Sequence, residues 1–158
     1  MIMEFMVLQK GSKYIVQDKK SRLLYSVKKK GFGNSNRLNL LDASDYILYT
    51  LLQTGDARKP AFKILLNDQT FFELTCKSLF LDPTIEAEGN GMKFSLASKD
   101  RKDFTIIKNG SPVGSIKTMI TVAGELHYDI QVENIAFDDY IPLFAVAIDK
   151  AFGDMNKS

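Results

Sequence analysis

The feature that most constrains this chain is a run of nine uncharged residues, 140–148, near its C-terminal end. The run is rich in alanine and lacks the alternation of polar and apolar residues that is typical of a strand. It predicts a helix over residues 140–152 that is apolar on nearly every side, and such a helix must be buried all round. A strand over residues 141–148 is the alternative, and the alanines argue against it. The side chains expected in the core are Leu143, Phe144, Ala145, Val146 and Ile148.

The residues around this run fit the two ends of a helix. Asp138 or Asp139 can cap its start, Pro142 is tolerated in its first turn, and Gly153 can end it. At about 1.5 Å per residue, a helix over residues 140–152 is roughly 20 Å long. A six-residue strand also spans roughly 20 Å, so the helix and a sheet of short strands match in height.

Before this run the chain is a series of short segments separated by turns. Its eleven phenylalanines and six tyrosines, without tryptophan, favour strands and a substantial aromatic core. Turn sequences such as Asn109-Gly110 provide the positive φ that tight hairpins need. We predict twelve strands, over residues 2–8, 13–17, 22–28, 37–41, 46–52, 61–66, 71–77, 84–88, 92–97, 103–108, 113–118 and 126–133.

Three of the predicted hairpins share the spacing of their apolar residues. Two of them, which begin at residues 62 and 104, have identical distances along the chain between these apolar residues, and the one that begins at residue 14 has one more residue in its turn. This weak repeat predicts that the core-facing residues recur from hairpin to hairpin. The corresponding positions are Tyr14, Val16, Leu24 and Val27, then Phe62, Ile64, Phe71 and Leu74, then Phe104, Ile106, Val113 and Ile116.

Twelve antiparallel strands are more than an open twisted sheet usually holds without curling or splitting. Closing the sheet removes its exposed edges, but a barrel well beyond eight strands is too wide for its own side chains to fill. The apolar helix can fill it. We therefore expect a mainly β (α+β) fold in one domain over residues 1–158: a closed antiparallel barrel of about twelve strands around a central hydrophobic C-terminal helix.

Charge is distributed unevenly along the chain. Residues 1–59 carry 11 lysines and arginines against 5 acidic residues, and residues 60–158 carry 10 against 14. The best candidate for an anion site is the basic, glycine-containing loop after the third strand, where successive backbone N–H groups can hold an anion. Solvated strand edges, on which lysine also blocks aggregation, explain the same charges. The candidate anion-binding residues are Lys28, Lys29, Lys30, Gly31, Gly33, Asn34 and Arg37.

The sequence offers little for catalysis or for metal binding. Strand alternation places His127, the single histidine, on the solvent side. Lys77 could lower the pKa of Cys76, but a strand cysteine is more often a packing residue. The doublet Asp138-Asp139 lacks the spaced oxygen ligands of a calcium loop. We expect no catalytic residues, no metal and no cofactor.

The order of segments resembles the LURP-one-related group of the tubby-like C-terminal fold, and the chain is identified as a bacterial member. The resemblance implies a closed barrel around a hydrophobic helix, in a superfamily that includes phosphoinositide-binding tubby domains and phospholipid scramblases. It lies in the segments Tyr14-Ile15-Val16-Gln17-Asp18, Leu38-Asn39-Leu40-Leu41-Asp42-Ala43, Lys77-Ser78-Leu79-Phe80-Leu81-Asp82-Pro83, Phe104-Thr105-Ile106-Ile107-Lys108-Asn109-Gly110 and Phe144-Ala145-Val146-Ala147-Ile148-Asp149.

These observations lead to an expected function. We expect a non-enzymatic cytoplasmic binding module that docks weakly, at the membrane periphery, to anionic lipid or another phosphorylated headgroup through its basic N-terminal patch. The alternative is a barrel that carries or senses a small apolar or acyl ligand beside the central helix. Nucleic acid is not expected as a partner, since the chain lacks a recognised motif and its C-terminal part is acidic. The N-terminus lacks the features of a signal peptide. Further basic candidates for the patch are Lys19, Lys20 and Arg22.

Overall fold

The structure is a computed structural model that describes residues 1–29, 31 and 36–157. All twelve predicted strands are present, and several extend one or two residues beyond a predicted end. The strands are β1 (Ile2–Lys10), β2 (Lys13–Asp18), β3 (Leu23–Lys29), β4 (Arg37–Asp42), β5 (Ile47–Gln53), β6 (Ala61–Leu66), β7 (Gln69–Ser78), β8 (Thr84–Gly89), β9 (Met92–Ser98), β10 (Asp103–Lys108), β11 (Ser111–Ile120) and β12 (Leu126–Glu133). A short 3-10 helix (Asn134–Ala136) and one α-helix, α1 (Ile141–Lys157), follow them.

The strands form a closed antiparallel barrel, as predicted. Each strand pairs with its neighbours in sequence, and β1 closes the circle by pairing with β12 as well as with β2. Val7 of β1, for example, lies opposite Tyr128 on one side and Val16 on the other. Because of this closure, every strand of the described chain has two partners and no sheet edge is left open.

The turns use the residues that tight hairpins require. Asn90 and Gly91 have φ values of 52° and 73°, and Asn109 and Gly110 have values of 49° and 87°. Positive φ at both central residues suits the twist of two-residue hairpins, which explains the Asn-Gly sequences. The Asn-Gly prediction is therefore confirmed.

The predicted hairpin repeat is confirmed at three of the four positions in each hairpin, including the fully buried Val16, Ile64 and Ile106, and is wrong at the fourth. The residue pairs Tyr14–Val27, Phe62–Leu74 and Phe104–Ile116 are cross-strand partners with buried side chains. In each hairpin, the first residue after the turn that was predicted to face the core is only half-buried. Each hairpin carries a β-bulge between these positions, and the extra residue breaks the simple alternation. The half-buried residues are Leu24, Phe71 and Val113.

The helix occupies the inside of the barrel. Its residues from Ile141 to Ile148 are fully buried, or nearly so, and they pack against the inward-facing side chains of the strands. Phe144, for example, packs its ring against those of Phe72 and Phe94, with centroids 6.2 and 5.0 Å away. The five predicted core residues Leu143, Phe144, Ala145, Val146 and Ile148 are all 0% exposed. Within the described ranges, no helix has both the length and the apolar character that crossing a membrane demands.

The observed helix differs from the predicted one, residues 140–152, at both ends. The helix starts at Ile141 with Pro142 in its first turn, but it continues through Gly153 to Lys157. Gly153 keeps a negative φ, so it does not act as a left-handed stop. The turn between β9 and β10 holds the last turns of the helix, because the buried Asn156 side chain donates to the Arg101 carbonyl oxygen at 2.7 Å.

Asp138 and Asp139, the two residues predicted to cap the helix with a side chain, make different contacts. The Asp139 carboxylate accepts a hydrogen bond from the Tyr25 hydroxyl on β3, and the Asp138 carboxylate accepts one from the Asp139 N–H. The Asp138 carbonyl oxygen accepts the N–H of Ile141. The doublet thus ties the start of the helix to the barrel wall.

Candidate anion-binding end of the barrel

The turns of an up-and-down barrel lie alternately at its two ends, and here the two ends differ in charge. We call the end where α1 finishes the basic end. It consists of the described residues of the segments 11–12, 30–36, 54–60, 79–83, 99–102 and 121–125, the strand residues next to them, and helix residues 150–157. Leaving out Arg37 and Asp68, which pair on the outer wall at 3.7 Å, its described residues include ten basic side chains against six acidic ones, and the opposite end has four against six.

The basic side chains at the basic end are Lys10, Lys13, Lys29, Arg58, Lys59, Lys99, Arg101, Lys102, Lys150 and Lys157, and the acidic ones are Asp56, Asp82, Asp100, Asp103, Glu125 and Asp154. At the opposite end they are Lys19, Lys20, Arg22 and Lys108 against Asp18, Asp42, Asp45, Glu133, Asp138 and Asp139.

The described cations on either side of the predicted anion loop point to different places. Lys29 pairs with Leu38 across β3 and β4 and faces the end of the lumen. Lys28 and Arg37 lie on the outer wall by strand alternation, and Arg37 approaches the Asp68 carboxylate at 3.7 Å. Gly31 is exposed, with a φ of 76°. The predicted residues Lys30, Gly33 and Asn34 lie outside the described residues.

A small polar cavity of about 40 Å³ lies beside Lys29. Its polar rim includes Asn36, Gln53 and Lys150, and its floor consists of Leu38, Leu51 and Phe62. The Asn36 amide is fixed in place because it donates to the Gln53 carbonyl oxygen at 2.9 Å. A space of this size holds a water molecule or one small group rather than a drug-sized ligand. Two ammonium groups therefore share a polar recess over the end of the core.

Lys150 is the residue of this recess that the sequence analysis missed. It comes directly after the buried helix segment and Asp149, and the helix brings it to the mouth of the barrel. Its ammonium nitrogen lies 6.0 Å from the centroid of the Tyr14 ring. The signal in the sequence is the first cation after an apolar run, which marks where a buried helix reaches solvent.

The other predicted cations do not belong to this surface. Lys19, Lys20 and Arg22 lie in the turn between β2 and β3, at the opposite end of the barrel. Lys19 pairs with Glu4 at 2.6 Å and Arg22 pairs with Asp18 at 2.7 Å. The excess of positive charge in residues 1–59 is therefore divided between the two ends and does not form one face.

Apolar side chains protrude at the basic end as well. Phe80 and Leu81 of the turn between β7 and β8 are 69% and 84% exposed, and Val122 of the turn between β11 and β12 is fully exposed. Arg101 lies in the turn between these two, with its guanidinium 5.8 Å from the centroid of the Phe80 ring. The basic end therefore combines cations with apolar tips.

A tyrosine–aspartate cluster holds the helix at the same end. Asp149 accepts hydrogen bonds from the hydroxyls of Tyr14 on β2 and Tyr128 on β12, each at 2.6 Å. Burial first, and then the Asp149 carboxylate, raise the pKa of both tyrosines far above the usual value. The cluster joins the helix to two separate strands. The sequence analysis missed this cluster, because its three residues are far apart along the chain.

The remaining chemically interesting residues make structural contacts. His127 is half-exposed on the outer face of β12, as predicted. Burial raises the pKa of the Cys76 thiol, which is the opposite of the activation that Lys77 suggested, and Lys77 instead lies 3.6 Å from Glu86. Cys76 is therefore a packing residue. In the part of the chain that the structure describes, no three histidine, cysteine or acidic side chains cluster as metal ligands.

Comparison with known proteins gives a family and one solved structure. A family model described as LURP-one-related matches residues 2–149. A protein from Arabidopsis thaliana, solved by X-ray crystallography, is similar over 98% of this chain and 91% of its own, with 16% sequence identity and a TM-score of 0.47. The search of curated proteins gives no match.

Proposed function

The chain belongs to the LURP-one-related family, and we propose that it is a non-enzymatic binding module that docks on anionic phospholipid bilayers through its basic end. The observation that carries this proposal is the difference in charge between the two ends of one barrel. Ten basic side chains against six acidic ones surround the end where the helix finishes, and the side chains of the other end carry a net negative charge. An anionic surface attracts the first end and repels the second.

The apolar tips support the same orientation. Phe80, Leu81 and Val122 protrude from turns at the basic end, where a bilayer would meet them together with the lysines. Aromatic and aliphatic side chains enter the interface between headgroups and acyl chains, and nearby cations pair with the phosphates. The opposite end also has exposed apolar residues, such as Tyr46 and Ile135, but acidic side chains surround them. Charge therefore selects which end docks.

A charge-reversal experiment tests the docking surface. The pair Lys29→Glu and Lys102→Glu changes two exposed lysines at the basic end. The pair Lys19→Glu and Lys20→Glu makes the same change in net charge at the opposite end. Each lysine near an anionic surface contributes on the order of 1 kcal/mol, so the first pair should lower binding at least about tenfold and the second far less.

Co-sedimentation with vesicles of phosphatidylcholine, with and without phosphatidylglycerol, measures the effect. Binding should need the anionic lipid and weaken as salt is added, because the charges are screened. Equal loss of binding in both pairs would contradict the proposed orientation. Equal binding to neutral and anionic vesicles, or none to either, would refute the proposal altogether.

The absence of tryptophan from the sequence allows a direct test of the tips. Leu81→Trp places a single fluorophore at the basic end, and Ile135→Trp places one at an equally exposed position at the other end. Emission from Leu81→Trp should shift to shorter wavelength on anionic vesicles, and that from Ile135→Trp should not. A shift in Ile135→Trp alone would reverse the orientation.

The alternative from the sequence, a barrel that carries or senses a small apolar or acyl ligand beside the central helix, has less support along the buried part of the helix. Leu143, Phe144 and Val146 are fully buried against the inward-facing side chains of the strands. Protein atoms already occupy the positions that such a ligand would take. The space next to the helix begins only at its last two turns, at Lys150 and beyond.

A further inference from the structure

The last two turns of α1 lean towards one side of the barrel. Phe152 stacks on Phe104 of β10, with ring centroids 5.6 Å apart, and the Asn156 side chain bonds to the Arg101 carbonyl oxygen. Gly153 lies close to Leu126 of β12. These contacts hold the end of the helix against β10, β12 and the turn before β10, and they leave a gap on the side of β5 to β8.

The gap is a groove of about 440 Å³ with a largely apolar wall. Ala151 and Met155 supply its helix side, since residues four apart share one face of a helix. Ala57, Leu79 and Phe80 supply the loop side. A volume of this size lies within the range of small-molecule sites, roughly 300–1,000 Å³.

Two basic side chains lie at the rim of this groove. Arg58 comes from the turn between β5 and β6, and Lys150 comes from the helix. Neither forms an ion pair within the described ranges of the chain, although Lys150 lies over the Tyr14 ring. Asp154 is the one carboxylate in the lining, so the groove keeps a net positive charge.

We infer that this groove binds a single-chain acidic amphiphile, with its acyl tail against Ala151, Met155 and Leu79 and its carboxylate or phosphate near Arg58 and Lys150. The tail removes apolar wall from water, and the head neutralises two cations that have no acidic partner among the described residues. A short groove closed by two turns and one helix suits one such molecule better than the extended face of an amphipathic peptide.

This inference is separate from bilayer docking. The lysines tested for docking, Lys29 and Lys102, do not line the groove. A soluble amphiphile can fill the groove without any vesicle, and a vesicle can bind the basic end with the groove empty. The two ideas can therefore fail independently.

Methyl NMR of the full chain labelled at methionine tests the site. Met155 lines the groove, and Met92 lies at the other end of the helix, where its sulfur accepts a hydrogen bond from the Tyr140 hydroxyl. Octanoate, decanoate and dodecanoate are titrated below the concentrations at which they form micelles, and dodecyl phosphate is the second head group. The Met155 methyl signal should shift and the Met92 signal should not. Affinity should rise about twofold to fourfold with each added methylene, since a buried methylene is worth up to about 0.8 kcal/mol.

Matched variants separate the tail from the head. Ala151→Leu fills the groove at a good helix position and should weaken dodecanoate binding at least about tenfold, and Ala43→Leu at the opposite end should not. Arg58→Gln should weaken binding of the acidic probes, and Lys59→Gln, one residue further on and outside the lining, should not. Unchanged urea midpoints confirm that each variant is folded.

The outcomes are distinct. Binding of either acidic probe with the expected dependence on chain length supports the inference, and the tighter probe identifies the head group. Equal shifts at Met155 and Met92, affinity independent of chain length, unchanged binding by Ala151→Leu, or binding of neither probe would overturn it.

Discussion

Gly153 is a glycine inside a helix, and the structure explains why alanine is not the better residue there. A Cβ at this position would lie 2.8 Å from Oδ1 of Asp149. That oxygen accepts the Tyr128 hydroxyl, and the second oxygen accepts the Tyr14 hydroxyl. The carboxylate is therefore held on both sides, and Gly153→Ala must push it out of hydrogen-bonding position.

The expected size follows from two opposing effects. Alanine is favoured over glycine in a helix by about 1 kcal/mol, and a hydrogen bond to a charged group is worth about 1.5–3 kcal/mol. Gly153→Ala should therefore lower the free energy of unfolding by about 0.5–2 kcal/mol. In an Asp149→Ala background the obstacle is gone, and the same substitution should raise the free energy of unfolding by about 1 kcal/mol. The sign of the effect should reverse.

A double-mutant cycle in urea, followed by circular dichroism, measures this coupling. The coupling between the two positions should be about 1.5–3 kcal/mol. Asp149→Ala alone is strongly destabilising, so the comparison uses the change produced by Gly153→Ala within each background. The same change in both backgrounds would refute the reasoning, because it would mean that the carboxylate moves aside without loss.

Three further predictions concern the core and the end of the helix. Ala145→Asp places a charge at a fully buried position in the middle of the helix, so we expect no soluble folded protein by gel filtration and circular dichroism. Above about pH 10 tyrosines lose their protons in the unfolded chain. In the folded protein Tyr14 and Tyr128 keep their protons, because their pKa values are raised. The unfolded state then binds fewer protons, so the free energy of unfolding falls as pH rises; in Tyr128→Phe this fall should be shallower by about 1.4 kcal/mol per pH unit. Asn156→Ala leaves the Arg101 carbonyl oxygen without its 2.7 Å donor and should cost about 1–3 kcal/mol in urea unfolding.

The sequence allowed the architecture to be predicted because each part of it leaves a local signal. Alternating apolar residues and Asn-Gly turns indicated the strands, and the uncharged run indicated a helix buried on all sides. The count of strands then required closure and a plug. All of these steps depend on neighbouring residues, which is the range over which a sequence pattern is informative.

The site was only partly predictable, because it depends on which end of the barrel a residue reaches. Lys29 and Lys19 look equivalent in the sequence, but they lie at opposite ends, and Lys19 pairs with Glu4. Lys150 shares the recess of Lys29 only because the helix passes through the lumen. A charge count over residues 1–59 mixes turns from both ends and so could not find the basic end.

The prediction for the end of the helix was wrong for a similar reason. Gly153 has the residue type of a helix stop, but its neighbour in space is the Asp149 carboxylate one turn earlier. A Cβ is unfavourable there because two tyrosines on β2 and β12, far away in sequence, hold that carboxylate in place. A glycine that makes room for a hydrogen-bonded cluster cannot be distinguished from a terminating glycine by local pattern alone.

The pairing of β1 with β12 also sets the order in which the fold can be completed during synthesis. The first strand leaves the ribosome early, but its second partner is the last strand to emerge, and the helix that fills the lumen comes later still. Until the helix emerges, the inward faces of all twelve strands have no core to pack on. Contacts between such distant parts of a chain form slowly, and the unfilled strands are prone to aggregate meanwhile. We therefore expect the final seventeen-residue helix to turn a set of exposed hairpins into a closed protein in one late, cooperative step.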